Sequence, residues 1–194
     1  MIRLRLTDKQ VKEALKALTI QIDVGDMKKA KQIEHITSWF DKHKKPYKKM
    51  KIDYGDYCAF IPKGTIKGID YDIVFDKQIV IERKKSLDEL AGNFSSKDNP
   101  RLKKEFAHIK AYNTKVYVFV EDQLFDKHLR NHNYKSQYDP KRFFERMKGF
   151  EAEYNTIIRP VHEDYIASEI YHTLYYHARH YLLRELKIEL IEED

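Results

Sequence analysis

Residues 79–90 read IVIERKKSLDEL, and the order of residue types in that stretch decides how the rest of the chain is assembled. Ile79, Val80 and Ile81 form a short apolar run typical of a buried strand, and charge arrives abruptly at Glu82-Arg83-Lys84-Lys85. Ser86 follows as a helix cap, with Glu89 three residues on at capping-box spacing, so a helix starts where the charged strand end stops. The pattern predicts an α/β sheet that presents its polar groups at strand ends.

Upstream, Asp76-Lys77-Gln78 reads as a tight turn preceded by a strand over Tyr71 to Phe75. Residues 48–61 (KKMKIDYGDYCAFI) read as a strand, a kink at Gly55 and a second extended piece, closed by Pro62-Lys63-Gly64-Thr65 and Gly68. Ile33, Ile36, Trp39 and Phe40 lie at helical offsets within residues 27–44, ahead of Pro46. Thr19 to Val24 alternates as a strand running into Asp23 and Asp26, and residues 7–18 form an amphipathic helix behind a Thr or Asp cap, with Val11, Leu15 and Leu18 on one side.

Downstream come a polar loop over Ser95 to Pro100, a helix over Arg101 to Ala111, and a buried strand Lys115 to Val120 stopped by Glu121-Asp122. Everything beyond about residue 140 reads as helical, with an apolar stripe at Ile166, Ile170, Leu174 and Tyr181. The expected fold is α/β, a central mixed sheet flanked by helices with a helical C-terminal extension. Two parts are expected, residues 1–130 as the core with its N-terminal helix and 131–194 as a helical extension packed on it.

Composition bounds the function classes. The chain has 194 residues, of which 42% are apolar and 35% charged, so it suits a folded domain with a proper core. Apolar runs such as Val116 to Val120 are too short to span a bilayer, and MIRLRLTDKQ carries no apolar signal block, so a cytoplasmic location is expected. The single cysteine, Cys58, excludes an intrachain disulfide or a thiolate zinc cluster. A formal net charge of +6 favours polyanionic partners.

Metal-assisted phosphodiester hydrolysis needs carboxylates that hold Mg²⁺ or Mn²⁺ against a phosphate oxygen, and a cation for the developing charge. Asp56 sits at the strand kink, while Glu82 and Lys84 lie two apart on one strand and therefore face the same way. Arg83 points to the other face, yet its backbone carbonyl is a hard oxygen donor. Asp88, in the first helical turn, is placed to orient Arg83 or Lys84. An isolated D…ExK pattern is more often a solvated strand end than a site.

Here Gly55-Asp56, then Ile81-Glu82-Arg83-Lys84 with Asp88, arrive in order with fitting secondary structure, and this resembles the XPF-type structure-specific endonuclease family. In that family a Gly-Asp pair precedes an apolar strand ending in Val-Glu-Arg-Lys-x-x-x-Asp. The resemblance covers roughly residues 19 to 121, and the layout, with SLDELAGNF and KSQYDPKRF, is also similar to the small phage-encoded members. It implies a restriction-endonuclease-like PD-(D/E)xK core, with Asp56, Glu82, the Arg83 carbonyl and Asp23 as metal ligands, Lys84 as catalytic cation, and Arg83 and Asp88 as supporting residues. It also implies Mg²⁺ or Mn²⁺ and no small-molecule cofactor. Where the family shows Asp-x-Arg-Glu, this chain has Asp23-Val24-Gly25-Asp26, which puts DNA positioning in question. No glycine follows Gly149, so the family's helix-hairpin-helix module is not expected.

DNA contacts are then expected from Lys85, Lys97, Arg101, Lys103 and Lys104, and from Tyr134 to Arg142, where Lys135, Lys141 and Arg142 alternate with aromatics suited to base stacking. Any single lysine among them reads equally as a solvated face. A metal site at His177 and His180 is discounted, because Tyr and His there suit packing and the apolar stripe suits a helical dimer face. Glu121 and Asp122 could approach the metal, but a polar strand terminus is the default reading. The expected function is cleavage of branched DNA (flap, fork or Holliday junction) by a homodimer, in repair, recombination or replication and in phage growth. The alternatives are a non-catalytic branched-DNA binder and a less selective nuclease that trims ends.

Overall fold

A computed structural model describes residues 2–23, 33–95, 107 and 109–190. Strand β1 (Ile2–Leu4) pairs antiparallel with β9 (Ile188–Leu190), joining the two ends of the described chain. Helix α1 (Asp8–Lys16) starts on a full capping box, in which Thr7 accepts from Gln10 N–H and the Gln10 side chain accepts from Thr7 N–H. Val11, Leu15 and Leu18 are buried, as the spacing predicts, and Ala14 is buried with them.

The central sheet runs β3 (Tyr47–Lys49), β2 (Thr19–Ile22), β4 (Tyr57–Ile61), β6 (Ile79–Lys84), β7 (Lys115–Glu121), β8 (Thr156–Val161), with β5 (Ile73–Val74) beside the far end of β4. β4 is antiparallel to β2, β5 and β6, whereas β2–β3, β6–β7 and β7–β8 are parallel pairs, so the sheet is mixed. Every residue of β4 is buried, as befits a strand with neighbours on both edges.

Period-two alternation along β6 and β7 sorts two cores. Ile79, Ile81 and Phe119 pack with α1, α2 (Glu34–Lys42) and α6 (Ile166–Arg184). Val80, Val116, Val118 and Val120 pack with α3 (Leu87–Ser95), α4 (Phe125–Arg130) and α5 (Pro140–Glu153). The α/β architecture of a mixed sheet flanked by helices, with a helical C-terminal part, is as expected.

Three readings need correction. The region beyond residue 140 is not helical throughout, because Thr156–Val161 forms β8, parallel to β7. Pro160 cannot donate to a ladder and hides the strand in the sequence, but β8 ends the path of strands, where proline is tolerated. The stripe Ile166, Ile170 and Leu174 is no dimer face, since all three are buried in the core of one chain. The strand read over Tyr71 to Phe75 shrinks to Ile73–Val74. The loop 96–100, the start of the helix read from Arg101, and the 24–32 segment lie outside the described residues. Among the described residues no helix is long and apolar enough to cross a membrane.

Candidate active site

β4 begins where β6 ends, and that antiparallel junction builds the site. Gly55 turns the chain at φ +82°, and a Cβ added there would stand 3.0 Å from the Val80 Cβ, so the turn lies tightly on β6. Asp56 N–H then donates to the Ile81 carbonyl at 2.8 Å, and Arg83 N–H donates to Asp56 Oδ2 at 2.8 Å. A side-chain oxygen thus replaces a ladder acceptor at the end of β6 and fixes the Asp56 carboxylate beside it. Asp23 N–H donates to the Asp56 carbonyl at 2.8 Å, while Asp23 Oδ1 accepts from Ile52 N–H at 3.1 Å.

Glu82 and Lys84 face the same way, as the alternation predicts: Lys84 Nζ donates to Glu82 Oε1 at 2.6 Å. The Lys84 side chain is only 8% exposed. Burial pulls its pKa down, but Glu82, Asp56 and Glu89 outweigh that and hold it above the ordinary lysine value. On this face a cavity of about 50 Å³, lined by Tyr54, Val80, Leu90, Phe94, Val118 and Phe150, reaches Glu82 and Lys84. Apolar walls exclude water and strengthen the charge interactions beside them.

Arg83 points to the opposite face, also as predicted. Its Nε and Nη2 donate to the two Glu121 oxygens at 2.7 and 2.8 Å. Burial lowers the Arg83 pKa, and the Glu121 pair more than restores it. Beyond that pair a groove is lined by His35, Trp39, Lys85, Glu163 and Asp164, with His35 Nε2 3.7 Å from Glu121 Oε1.

The structure brings together Asp56, Glu82 and Lys84, with Asp23 tied to Asp56 through the backbone. Asp88 is not joined to Arg83 or Lys84 by any of its hydrogen bonds: its Oδ1 accepts from Lys135 N–H at 2.6 Å and Ser136 N–H at 3.0 Å. Lys85, Lys135, Lys141 and Arg142 are exposed, whereas Lys97, Arg101, Lys103 and Lys104 lie outside the described residues. The aromatics of the 134–142 stretch do not face solvent for stacking, because Tyr138 stacks on Phe143 with ring centroids 5.4 Å apart and Tyr134 packs edge-on against it at 5.6 Å. His177 Nε2 contacts Gln78 Oε1 at 3.1 Å, and His180 pairs with Glu185.

Sequence reasoning missed two acids. Glu121 reads by default as a polar strand terminus, but the parallel register Arg83↔Phe119 and Lys84↔Val120 sets it just past the charged end of β6, where it pairs with Arg83. Glu89 does cap α3, its Oε2 accepting from Lys85 N–H at 2.8 Å, yet its Oε1 also stands 4.0 Å from Lys84 Nζ.

Among the described residues no three His, Cys, Asp or Glu side chains converge as a metal cluster. Two carboxylates and the Arg83 carbonyl are nonetheless all hard oxygen donors, a set that fits Mg²⁺, which keeps several waters and takes few protein ligands. Neither a protein-family model nor a curated protein matches this chain. Among solved structures, XPF from Aeropyrum pernix matches with a TM-score of 0.56 at 14% identity, over 84% of this chain and 66% of that one. This chain thus spans just under two thirds of that protein's length, and the likeness is one of fold.

Proposed function

We propose that this chain is a metal-dependent DNA endonuclease that hydrolyses phosphodiester bonds in branched DNA, in repair, recombination or replication. The observation that carries the reading is the junction of β4 and β6, where Asp56, Glu82 and a buried, charged Lys84 share one face at the strand ends. The fold shared with XPF from Aeropyrum pernix supports it. Asp56, Glu82 and the Arg83 carbonyl would hold Mg²⁺ or Mn²⁺, with Asp23 beside them. When bound, such an ion polarises a phosphate oxygen and makes a water more acidic.

The protein's own groups do the rest. Lys84 stays protonated among three carboxylates and so offers a fixed positive charge to the phosphate oxygens as negative charge builds there. Arg83, clamped by Glu121, supports the strand end, while Asp88 in the helix that follows holds the Lys135 amide. Lys85, Arg101, Lys104, Lys135, Lys141 and Arg142 would neutralise the DNA backbone, in keeping with the net charge of +6. Two symmetric cuts at a four-way junction need two sites, hence a homodimer. The likeness to the small phage-encoded members suits action in a host cytoplasm during phage growth.

The test is cleavage of labelled linear, flap, fork and Holliday-junction DNA with Mg²⁺, Mn²⁺ or EDTA, alongside Glu82→Gln. Metal-dependent cuts near the branch, lost in Glu82→Gln while DNA binding persists, support the proposal. Tight binding without cleavage under every metal would leave a branched-DNA binder, and equal cutting of linear DNA would leave a less selective nuclease.

A further inference from the structure

The geometry points to Asp88 as a positioning residue that tethers the cationic segment 134–142 to the catalytic strand end, setting the grip on substrate rather than the chemistry. This rests on the nuclease reading above. Asp88 lies in the first turn of α3, which starts just after Lys84. One of its oxygens accepts from two consecutive backbone amides, Lys135 at 2.6 Å and Ser136 at 3.0 Å, from a segment almost fifty residues further along the chain.

The cations that the motif would offer Asp88 are engaged elsewhere. Arg83 spends its guanidinium on Glu121, and Lys84 donates to Glu82. A carboxylate joined to amides of a distant segment has the geometry of a strut.

The segment it holds is ordered so that its cations face out. Tyr134 and Tyr138 pack on Phe143, Tyr134 O–H donates to the Tyr138 carbonyl at 2.6 Å, and Asp139 caps α5 by accepting from Arg142 N–H at 2.9 Å. Lys135, Lys141 and Arg142 are left exposed. Lys141 stands only 4.0 Å from Glu145 at 84% side-chain exposure, a pair too solvated to hold it. The Asp88 tether thus relates a row of phosphate-seeking side chains to the site formed by Asp56, Glu82 and Lys84. Because Oδ1 alone accepts the amides, the charge of Asp88 is dispensable and an amide oxygen will serve.

The test compares the wild-type protein with Asp88→Ala and Asp88→Asn on flap DNA with Mg²⁺, resolving kcat from KM, and follows amide hydrogen exchange at Lys135 and Ser136. In Asp88→Ala both amides lose protection and KM rises roughly tenfold, the scale of a lost hydrogen bond, with a smaller loss in kcat. Asp88→Asn restores both readouts, and Lys135→Ala raises KM less in the Asp88→Ala background than alone. A fall in kcat of about a hundredfold in both variants, with KM and amide protection kept, overturns the proposal in favour of a charge acting in the chemistry. Lost protection with unchanged KM overturns it too. Wild-type protein that neither binds nor cuts DNA overturns the nuclease reading itself, a failure told apart by amide exchange that still reports the tether.

Discussion

The Arg83 guanidinium and the Glu121 carboxylate form a two-pronged ion pair that is closed to solvent from both sides, with side chains 8% and 6% exposed. The backbone N–H of the same Arg83 holds Asp56 Oδ2. The pair on one face of the sheet therefore steadies the backbone that orients a carboxylate at the site. Glu121→Ala leaves a buried cation without its partner, which costs about 3–5 kcal/mol. Replacing Arg83 and Glu121 together with leucine recovers most of that stability, because a buried ion pair is often matched by apolar side chains. Urea denaturation of the two variants measures the contrast, and equal losses would show that the pair is not the source.

Lys84 stands beside Glu82, where the nuclease proposed above needs a cation. Lys84→Met keeps the length of the side chain and removes the charge, so Glu82 and Asp56 lose their neutralising neighbour. Binding of Mn²⁺, followed by calorimetry, should become tighter, whereas DNA cleavage falls by roughly 10²–10³-fold, as for other lost groups that stabilise transition-state charge. Weaker Mn²⁺ binding would mean that Lys84 shapes the site rather than competing within it.

Both residues show what a sequence can carry. Strand alternation and the abrupt charge after Ile81 place Glu82 and Lys84 on one face and Arg83 on the other, because a period of two needs no knowledge of neighbours. Glu121 was not legible, since its role depends on β7 lying parallel to β6 in a register that local patterns do not encode. The same blindness hid β8 and turned Ile170 and Leu174 outward: amphipathic spacing shows that a face is apolar, not whether its cover is the same chain. Asp88 sits at the spacing of the motif that the sequence resembles, yet its hydrogen bonds run to a segment that only tertiary folding brings near.

His177 makes stability depend on pH. Burial disfavours its charged form most; Glu185 opposes this, His180 and Lys115 reinforce it, and the pKa lies below the ordinary histidine value. Above the unfolded-state value of about 6.5 the ring is neutral in both states. As pH falls through that value the unfolded chain takes up a proton that the folded chain refuses, and stability drops until the lower folded pKa is reached. The melting temperature should therefore fall between about pH 7.5 and about pH 5.5, and fall less in His177→Gln. An identical slope in the variant would assign the loss to other groups.

Gly55 joins backbone conformation to chemistry. At φ +82° a side chain is strained, and a Cβ would meet the Val80 Cβ at 3.0 Å and Cγ2 at 3.3 Å, on a strand buried in the middle of the sheet. Val80 cannot swing aside as a long surface side chain would, so the turn itself must move, and Asp56 is the next residue. Gly55→Ala should cost about 1–3 kcal/mol of stability. It should also lower kcat by more than that loss explains at temperatures where the variant is still fully folded, because the hydrogen bond from Arg83 N–H to Asp56 Oδ2 depends on that turn. Circular dichroism melting, paired with cleavage rates well below the melting temperature, separates the two effects. A variant that melts earlier but cuts at the wild-type rate would show that the site tolerates a displaced Asp56.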